Sequence, residues 1–195
     1  MTRSDLLQQF QLHPPVAYHH HAIARVSHIK PQELRKAAVL IGFVERDNGL
    51  NVIFTKRAAH LKHHPGQVSF PGGKYEPYDD DLSSTALRET QEELGIGHHQ
   101  VTIFGQLPEL ATISRFTVTP FLAFVRSDYQ PHIDHNEVEQ LFEVPADVVL
   151  DPEQLHSHHF RIRGQHHTVF GFNHDQHFIW GMTAQIIQAL QKQFA

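Results

Sequence analysis

The segment "PGGKYEPYDDDLSSTALRETQEELGIG", Pro71 to Gly97, constrains this chain more than any other. Gly72 and Gly73 mark a tight turn, a polar loop follows, and Asp81, Ser83 or Ser84 is placed to cap a helix. That helix is expected from about Leu82 to Leu94, ended by Gly95, which enters a left-handed C′ position cheaply. Ser83, Leu87, Thr90 and Leu94 fall on one helical stripe, the expected core face. Glu89, Glu92 and Glu93 share the opposite side, within an arc of about 100°. Arg88, four residues before Glu92, is the nearby cation that answers their charge. Neighbouring carboxylates raise one another's pKa and resist ionising. Either solvent screens them as an ordinary acidic face, or a cation belongs among them. The loop adds Glu76, Asp79, Asp80 and Asp81, hard oxygen donors of the kind that Mg²⁺ and Mn²⁺ take.

With 195 residues, 40% of them hydrophobic, the chain has enough material for one domain with a substantial core. A formal net charge of −5 carries no footprint for nucleic acid or a membrane surface. The longest apolar run, "AAVLIGFV" from Ala37 to Val44, is too short to span a bilayer. The opening "MTRSDLLQQF" lacks the apolar stretch of a secretory signal, and cysteine is absent, which excludes disulfides and thiolate metal sites. A cytoplasmic location is the expectation. The nineteen histidines occur as scattered runs such as His19 to His21 and His63-His64. No H-E-x-x-H pattern accompanies them, so most of them read as surface residues, and they make the net charge sensitive to pH near neutrality.

Residues 1–35 read as a helix, "SDLLQQFQL", followed by a polar, proline-marked arm, and residues 36–195 as a single domain. "KAAVLIGFVE" and "LNVIFTKR" flank "RDNG", a strong hairpin signal. "QVSFPGG" reads as a short strand running into the glycine turn. Strands are expected near "VTIFGQL", "TVTPFLAFV", "FRIRG" and "HTVFGF", with a helical turn around "NEVEQLFEV". "IWGMTAQIIQALQKQF" presents Ile179, Met182, Ile186 and Leu190 on one face of a C-terminal amphipathic helix. This order of elements predicts an α/β (α+β) fold, a mixed β-sheet covered by helices.

Arg88-Glu89-x-x-Glu92-Glu93-x-Gly95-Ile96 behind a Gly-Gly turn resembles the signature of the Nudix hydrolases, G-x5-E-x7-R-E-U-x-E-E-x-G-U with U apolar. Asp79 stands where the family has glutamate, eight residues rather than seven separate it from Arg88, and Thr90 takes an apolar position. Upstream, "FTKRAAHLKHHPGQVSFPGG" is similar to a second signature, that of the coenzyme A pyrophosphatase branch. The matches there include Thr55, Arg57, Leu61, His64, Gly66, Gln67, Val68 and Phe70, with Lys62 in place of arginine. That branch also carries the longer spacing after the glycines.

The resemblance implies a Nudix-type α/β/α sandwich and Mg²⁺- or Mn²⁺-dependent hydrolysis of a pyrophosphate bond. The branch implies coenzyme A as substrate, with 4′-phosphopantetheine and adenosine 3′,5′-bisphosphate as products. By analogy Glu89 and Glu93 are the principal metal ligands. Glu92 is a further ligand or the group that deprotonates water, and Arg88 orients Glu92 and keeps it ionised. Arg57, Lys62 and His64 are the cations for substrate phosphates, Gln67 a hydrogen-bonding partner, and Gly73 a close approach of backbone to substrate. Other nucleoside diphosphate derivatives (ADP-ribose, NADH, a damaged nucleotide) and a non-catalytic nucleotide-sensing module are the alternative readings. No nucleic-acid or membrane partner is expected, and a homodimer contact is a role the N-terminal arm would suit.

Overall fold

A computed structural model of the chain describes residues 1–162 and 165–194, with the side chains of all of these except 21, 160–162 and 165–168. The "RDNG" hairpin forms as the turn chemistry predicts. Strands β1 (Arg35–Arg46) and β2 (Gly49–Arg57) pair antiparallel with Arg46 opposite Gly49, leaving Asp47 and Asn48 as a two-residue loop. β3 (Val68–Ser69), β4 (Gly72–Lys74), β5 (Val101–Gln106), β6 (Leu110–Ala111), β7 (Phe116–Val125) and β8 (Val138–Pro145) complete the large sheet. Its main path runs β3-β2-β1-β7-β5, with β4 on β1, β6 on β7 and β8 on β2. β1 and β7 run parallel from Arg35 opposite Phe116 to Val44 opposite Val125, while the other pairs are antiparallel, so the sheet is mixed. β1 is buried on both faces from Ala37 to Val44, which is why its sequence is a continuous apolar run and not an alternation.

Helices cover both faces. α3 (Leu82–Leu94) lays Ala86 against Ala38, Leu40, Phe121 and Ala123. On the opposite face Ile41, Phe43, Phe54 and Leu122 form the main core with Ile186, Ile187 and Leu190 of α5 (Met182–Gln193). A second, antiparallel sheet of β9 (Leu155–Ile162), β10 (Gln165–His174) and β11 (His177–Trp180) adds Phe172 and Ile179 to that core. The layers are helix, sheet and helix.

Three expectations change. "NEVEQLFEV" is not a helical turn but mainly β8, because β2 offers an open edge from Asn51 to Arg57 that pairs with it, Thr55 opposite Leu141 and Val52 opposite Val144. The helical turn comes later, as α4 (Ala146–Leu150). Ile179 lies in β11, because Gly181, with φ +69 and ψ −134, breaks the chain between strand and helix. Ile186 and Leu190 still face the core from α5, with Met182 packed beside them. The strand expected at "FRIRG" starts earlier, at Leu155, and its Arg163 and Gly164 lie outside the described residues.

The arm is laced into the core. α1 (Arg3–Leu12) is capped by a Thr2–Asp5 capping box and buries Leu6 completely. Phe10 packs edge-on against Phe104 at 5.7 Å and lies over Gly105, where a Cβ would stand 2.3 Å from its ring. Beyond α1, Gln193 donates from Nε2 to the carbonyl of His13 at 3.0 Å, and Tyr18 donates from its hydroxyl to Pro108 O at 2.8 Å. A short α2 (His20–Val26) follows. Among the described residues, no helix is long and apolar enough to cross a membrane.

Leu6→Ala is expected to cost about 2–5 kcal/mol, the range for a fully buried leucine. Equilibrium urea unfolding checks it, and a loss below about 1 kcal/mol would show that the arm adds little to the core.

Candidate active site

The acidic helix is set by its ends. Asp81 takes the N-cap, its Oδ1 accepting from Ser84 N–H at 2.8 Å and from the Ser83 hydroxyl at 2.7 Å. Gly95 ends the helix in the left-handed region at φ +71. The buried side is Thr85, Ala86, Thr90, Glu93 and Leu94, rotated roughly 60° toward the carboxylates from the expected stripe. Small residues decide this. Ala86 and Thr90 admit the sheet closely, and Thr90 hides its hydroxyl by donating to Ala86 O at 2.7 Å. Ser83 and Leu87 are left half-exposed, and Glu93 becomes a core residue, 4% exposed.

Arg88 organises the polar side. Its Nε donates to Asp79 Oδ1 at 2.8 Å and its Nη2 to Asp79 Oδ2 at 3.1 Å, a two-pronged pair. Nη1 donates to Glu89 Oε1 and to Glu92 Oε2, both at 2.9 Å, and Nη2 also donates to Lys74 O at 2.9 Å. All five guanidinium donors are thereby used. Asp79 is buried and also accepts from Glu76 N–H at 2.9 Å and from the Thr85 hydroxyl at 2.8 Å. The Arg88 guanidinium holds the Asp79 carboxyl well below the usual carboxylate range. Sequence reasoning placed Asp79 among the loop's oxygen donors and did not foresee its pairing with Arg88. The extra residue before Arg88 is absorbed in the loop, and the shorter acid still reaches the guanidinium.

Glu89 and Glu93 face the glycines. Gly72, at φ +150, passes so close to β1 that a Cβ would lie 2.3 Å from Ala38 O. A Cβ on Gly73 would lie 2.5 Å from the Glu89 carboxylate. Gly72 and Gly73 open strand β4 in addition to turning the chain, and the Gly72 N–H donates to Glu93 Oε2 at 3.3 Å. Glu93 forms no ion pair among the described residues. Burial and the neighbouring Glu89 charge push its carboxyl up to about 8, against the weaker pull of the Gly72 amide and Arg57. Burial also raises Glu89, with Arg88 opposing. The charge of Glu137, just before β8, raises both. Nothing in the sequence singled Glu137 out, because pairing of β8 with β2 is what brings it to α3.

The remaining candidates surround this pair unevenly. Arg57 ends β2, and its charge acts on Glu93. Its N–H donates to Gln67 O at 3.0 Å and its carbonyl accepts from Gly66 N–H at 3.1 Å, closing the loop between them. That loop is tied to the segment before β8 by Ala58 N–H donating to Glu137 O at 2.9 Å and by His60 Nε2 at 3.1 Å from Asn136 O. Lys62 and His64 sit on its exposed part and form no ion pair with the carboxylates among the described residues. Glu92 is largely exposed, with its side chain turned to Arg88. Asp79 and Asp81, expected among the hard oxygen donors, are committed to Arg88 and to the helix cap.

The donor set fits a hard divalent cation. Two carboxylates with raised pKa values flank the glycines, Glu89 where a Cβ on Gly73 would strike it and Glu93 on the Gly72 amide, and burial makes each costly to ionise. Among the described residues no three His, Cys, Asp or Glu side chains close into a ready-made cage. Mg²⁺ commonly binds through one or two carboxylates and keeps waters for the rest.

The pH dependence follows from Glu93. Between about 4.5 and about 8 the folded chain keeps a proton that the unfolded chain has released, so stability falls as pH rises through that window. In chelator, the melting temperature is expected to fall from pH 5 to pH 8.5, and less steeply for Glu93→Gln. Added Mg²⁺ at the upper pH is expected to restore the wild-type value only. Asp79 has the opposite sign: its stabilisation is present above the ordinary carboxylate pKa and lost as pH falls through its lowered value. Asp79→Asn is therefore expected to lower the melting temperature at pH 6 and to flatten the acid limb, checked by the same scans.

The NUDIX domain family model matches residues 34–165. An "Uncharacterized Nudix hydrolase NudL" of Enterobacter sp. (strain 638) is 40% identical over 159 residues, 82% of each chain. One of Photorhabdus laumondii subsp. laumondii is 36% identical over 194 residues, 97% of this chain and 96% of that one. The crystal structure of a NUDIX hydrolase from Alicyclobacillus acidocaldarius covers 60% of this chain and 81% of its own, with 21% identity and a TM-score of 0.50, a likeness of fold. The mixed sheet between helices is thus the Nudix α/β/α sandwich, and this chain belongs to the Nudix hydrolase family.

Proposed function

We propose that this Nudix hydrolase cleaves the pyrophosphate bond of coenzyme A or its derivatives, releasing 4′-phosphopantetheine and adenosine 3′,5′-bisphosphate. Nudix hydrolases generally use divalent ions such as Mg²⁺ or Mn²⁺ and act on small nucleotide substrates. The observation that carries the hydrolytic reading is buried Glu93 with half-buried Glu89, set against Gly72 and Gly73 beside the charge of Arg57. Support for the substrate is the "HHPGQVSFPGG" signature, on the loop that Arg57 and Gln67 close.

Glu89 and Glu93 would hold the cation, with Glu92 at its flank. When bound, the ion supplies neutralisation of the phosphate oxygens and a more acidic water. Arg88 holds the Glu92 carboxylate at 2.9 Å, so Glu92 is positioned to accept the proton as water adds to phosphorus and the bridging P–O bond breaks. Arg57 and, on the exposed loop, Lys62 and His64 meet the anionic oxygens. Lysine offers a point charge where arginine would give a fork. Gln67 adds a hydrogen bond, and Gly73 lets the backbone approach the substrate.

Incubation with coenzyme A, ADP-ribose and NADH, each with Mg²⁺ or Mn²⁺ and read by product identity, tests the substrate. Adenosine 3′,5′-bisphosphate is the expected product, and its absence beside turnover of another compound would overturn the assignment. Glu92→Gln is expected to lower kcat roughly 10²- to 10⁴-fold. An equal loss in Glu137→Gln, with Glu92→Gln unaffected, would move the base to the β8 side. Gly73→Ala is expected to abolish turnover by displacing the Glu89 carboxylate, and full activity in that variant would refute that fit.

A further inference from the structure

The three-stranded sheet turns Phe172 and Ile179 inward and, among the described residues, leaves aromatic side chains exposed on its other face. On β11, Phe178 and Trp180 are 47% and 44% exposed and alternate with buried His177 and Ile179, so both rings stand on that other face. Trp180 is in register with Gly171 of β10, and the Phe178 ring lies over that glycine, 2.6 Å from where a Cβ would stand. His158 borders the same point, 3.7 Å away. Phe178 covers the bare backbone of Gly171 and Trp180 stands on the same face of β11, so the two form an exposed aromatic shelf.

The strand that carries the shelf adjoins the loop closed by Arg57 and Gln67. Gly181, the residue after Trp180, backs onto Gln67, whose Nε2 would be 3.3 Å from a Cβ there. Thr183 donates to Val68 O at 3.0 Å, and at the other end of β11 His177 stacks on Phe142 at 3.8 Å, the rings nearly parallel at 6°. β11 is therefore pinned to the strands that bear the recognition loop. Gln67 in turn holds Arg57, and the charge of Arg57 acts on Glu93. These links run from Glu93 to Arg57, from Arg57 to Gln67, and from Gln67 to Gly181 beside the exposed indole of Trp180. A nucleotide diphosphate carries the matching order of phosphoanhydride, anionic sugar phosphate and planar base.

We propose that Trp180, with Phe178 beside it, is the stacking platform for the adenine ring of the substrate. The proposal rests on the nucleotide diphosphatase reading above and adds to it the place where the base is recognised. Indole and purine faces stack without needing a particular hydrogen-bond pattern, so the shelf holds the adenine half and leaves the rest of the substrate to the loop.

Trp180 is the single tryptophan of the chain, so selectively excited tryptophan emission reports on the shelf alone. In the metal-free full-length protein, adenosine 3′,5′-bisphosphate is expected to quench it saturably and 4′-phosphopantetheine to leave it unchanged. Trp180→Ala is expected to raise KM for an adenine-bearing diphosphate roughly five- to a hundredfold, the range for losing one base–aromatic stack. Trp180→Phe should restore KM to within about threefold of wild type, which a merely structural role would not predict. Absence of quenching at nucleotide concentrations that inhibit turnover would overturn the proposal. So would emission that responds to protein concentration instead of nucleotide, because a second copy would then cover the face. Turnover of ADP-ribose but not coenzyme A, with quenching by adenosine phosphates intact, would refute the coenzyme A assignment and uphold the shelf.

Discussion

The pairing of Arg88 with Asp79 is the interaction on which the rest of the site depends. One guanidinium with five donors answers five acceptors: two oxygens of Asp79, one each of Glu89 and Glu92, and the carbonyl of Lys74. That single group fixes the loop after β4 to the helix that follows it. Without it Glu89 and Glu92 would lose the cation they pair with, and the loop would lose its anchor at Asp79. The bond is geometric as well as electrostatic, since a fork against a carboxylate sets angles that a lysine would leave free.

With the loop fixed, the close approach of β4 becomes possible and the glycines acquire their purpose. Gly72 lies against the backbone of β1, and Gly73 leaves room for the Glu89 carboxylate. Glu93, rolled into the core beside small Ala86 and Thr90, is held at a cost that its raised pKa records. An ionisable group buried beside a like charge is poor design for stability and good design for receiving a cation. The hydrophobic layers on both faces of the sheet make that arrangement tolerable, because they supply the rigidity that keeps the pair together.

The second sheet extends the site. β11 contributes no carboxylate and no cation to it, yet its contacts at His177 and Gly181 bind it to β8 and to the loop that follows Arg57. Its alternation gives one apolar side chain in two to the core and leaves the others exposed. The chain thereby places charged chemistry and an aromatic surface on adjoining elements without a second domain.

The sequence by itself determined the local parts. Turn chemistry at "RDNG" set the first hairpin, Asp81 and Gly95 bounded α3 at Leu82 and Leu94, and the spacing of Arg88 and Glu92 set their ion pair, because each depends on residues within a turn or two of one another. Tertiary structure decided which face of α3 is buried, since that depends on the small side chains opposite it in β1 and β7 and not on the helix's own apolar stripe. It also decided that "NEVEQLFEV" is a strand, because an unpaired edge of β2 outweighs local helical preference, and thus that Glu137 meets Glu93. The role of Asp79 was hidden for a related reason: a loop one residue longer reads as a lost register in the chain, while in space it still brings the Asp79 carboxylate to the Arg88 guanidinium.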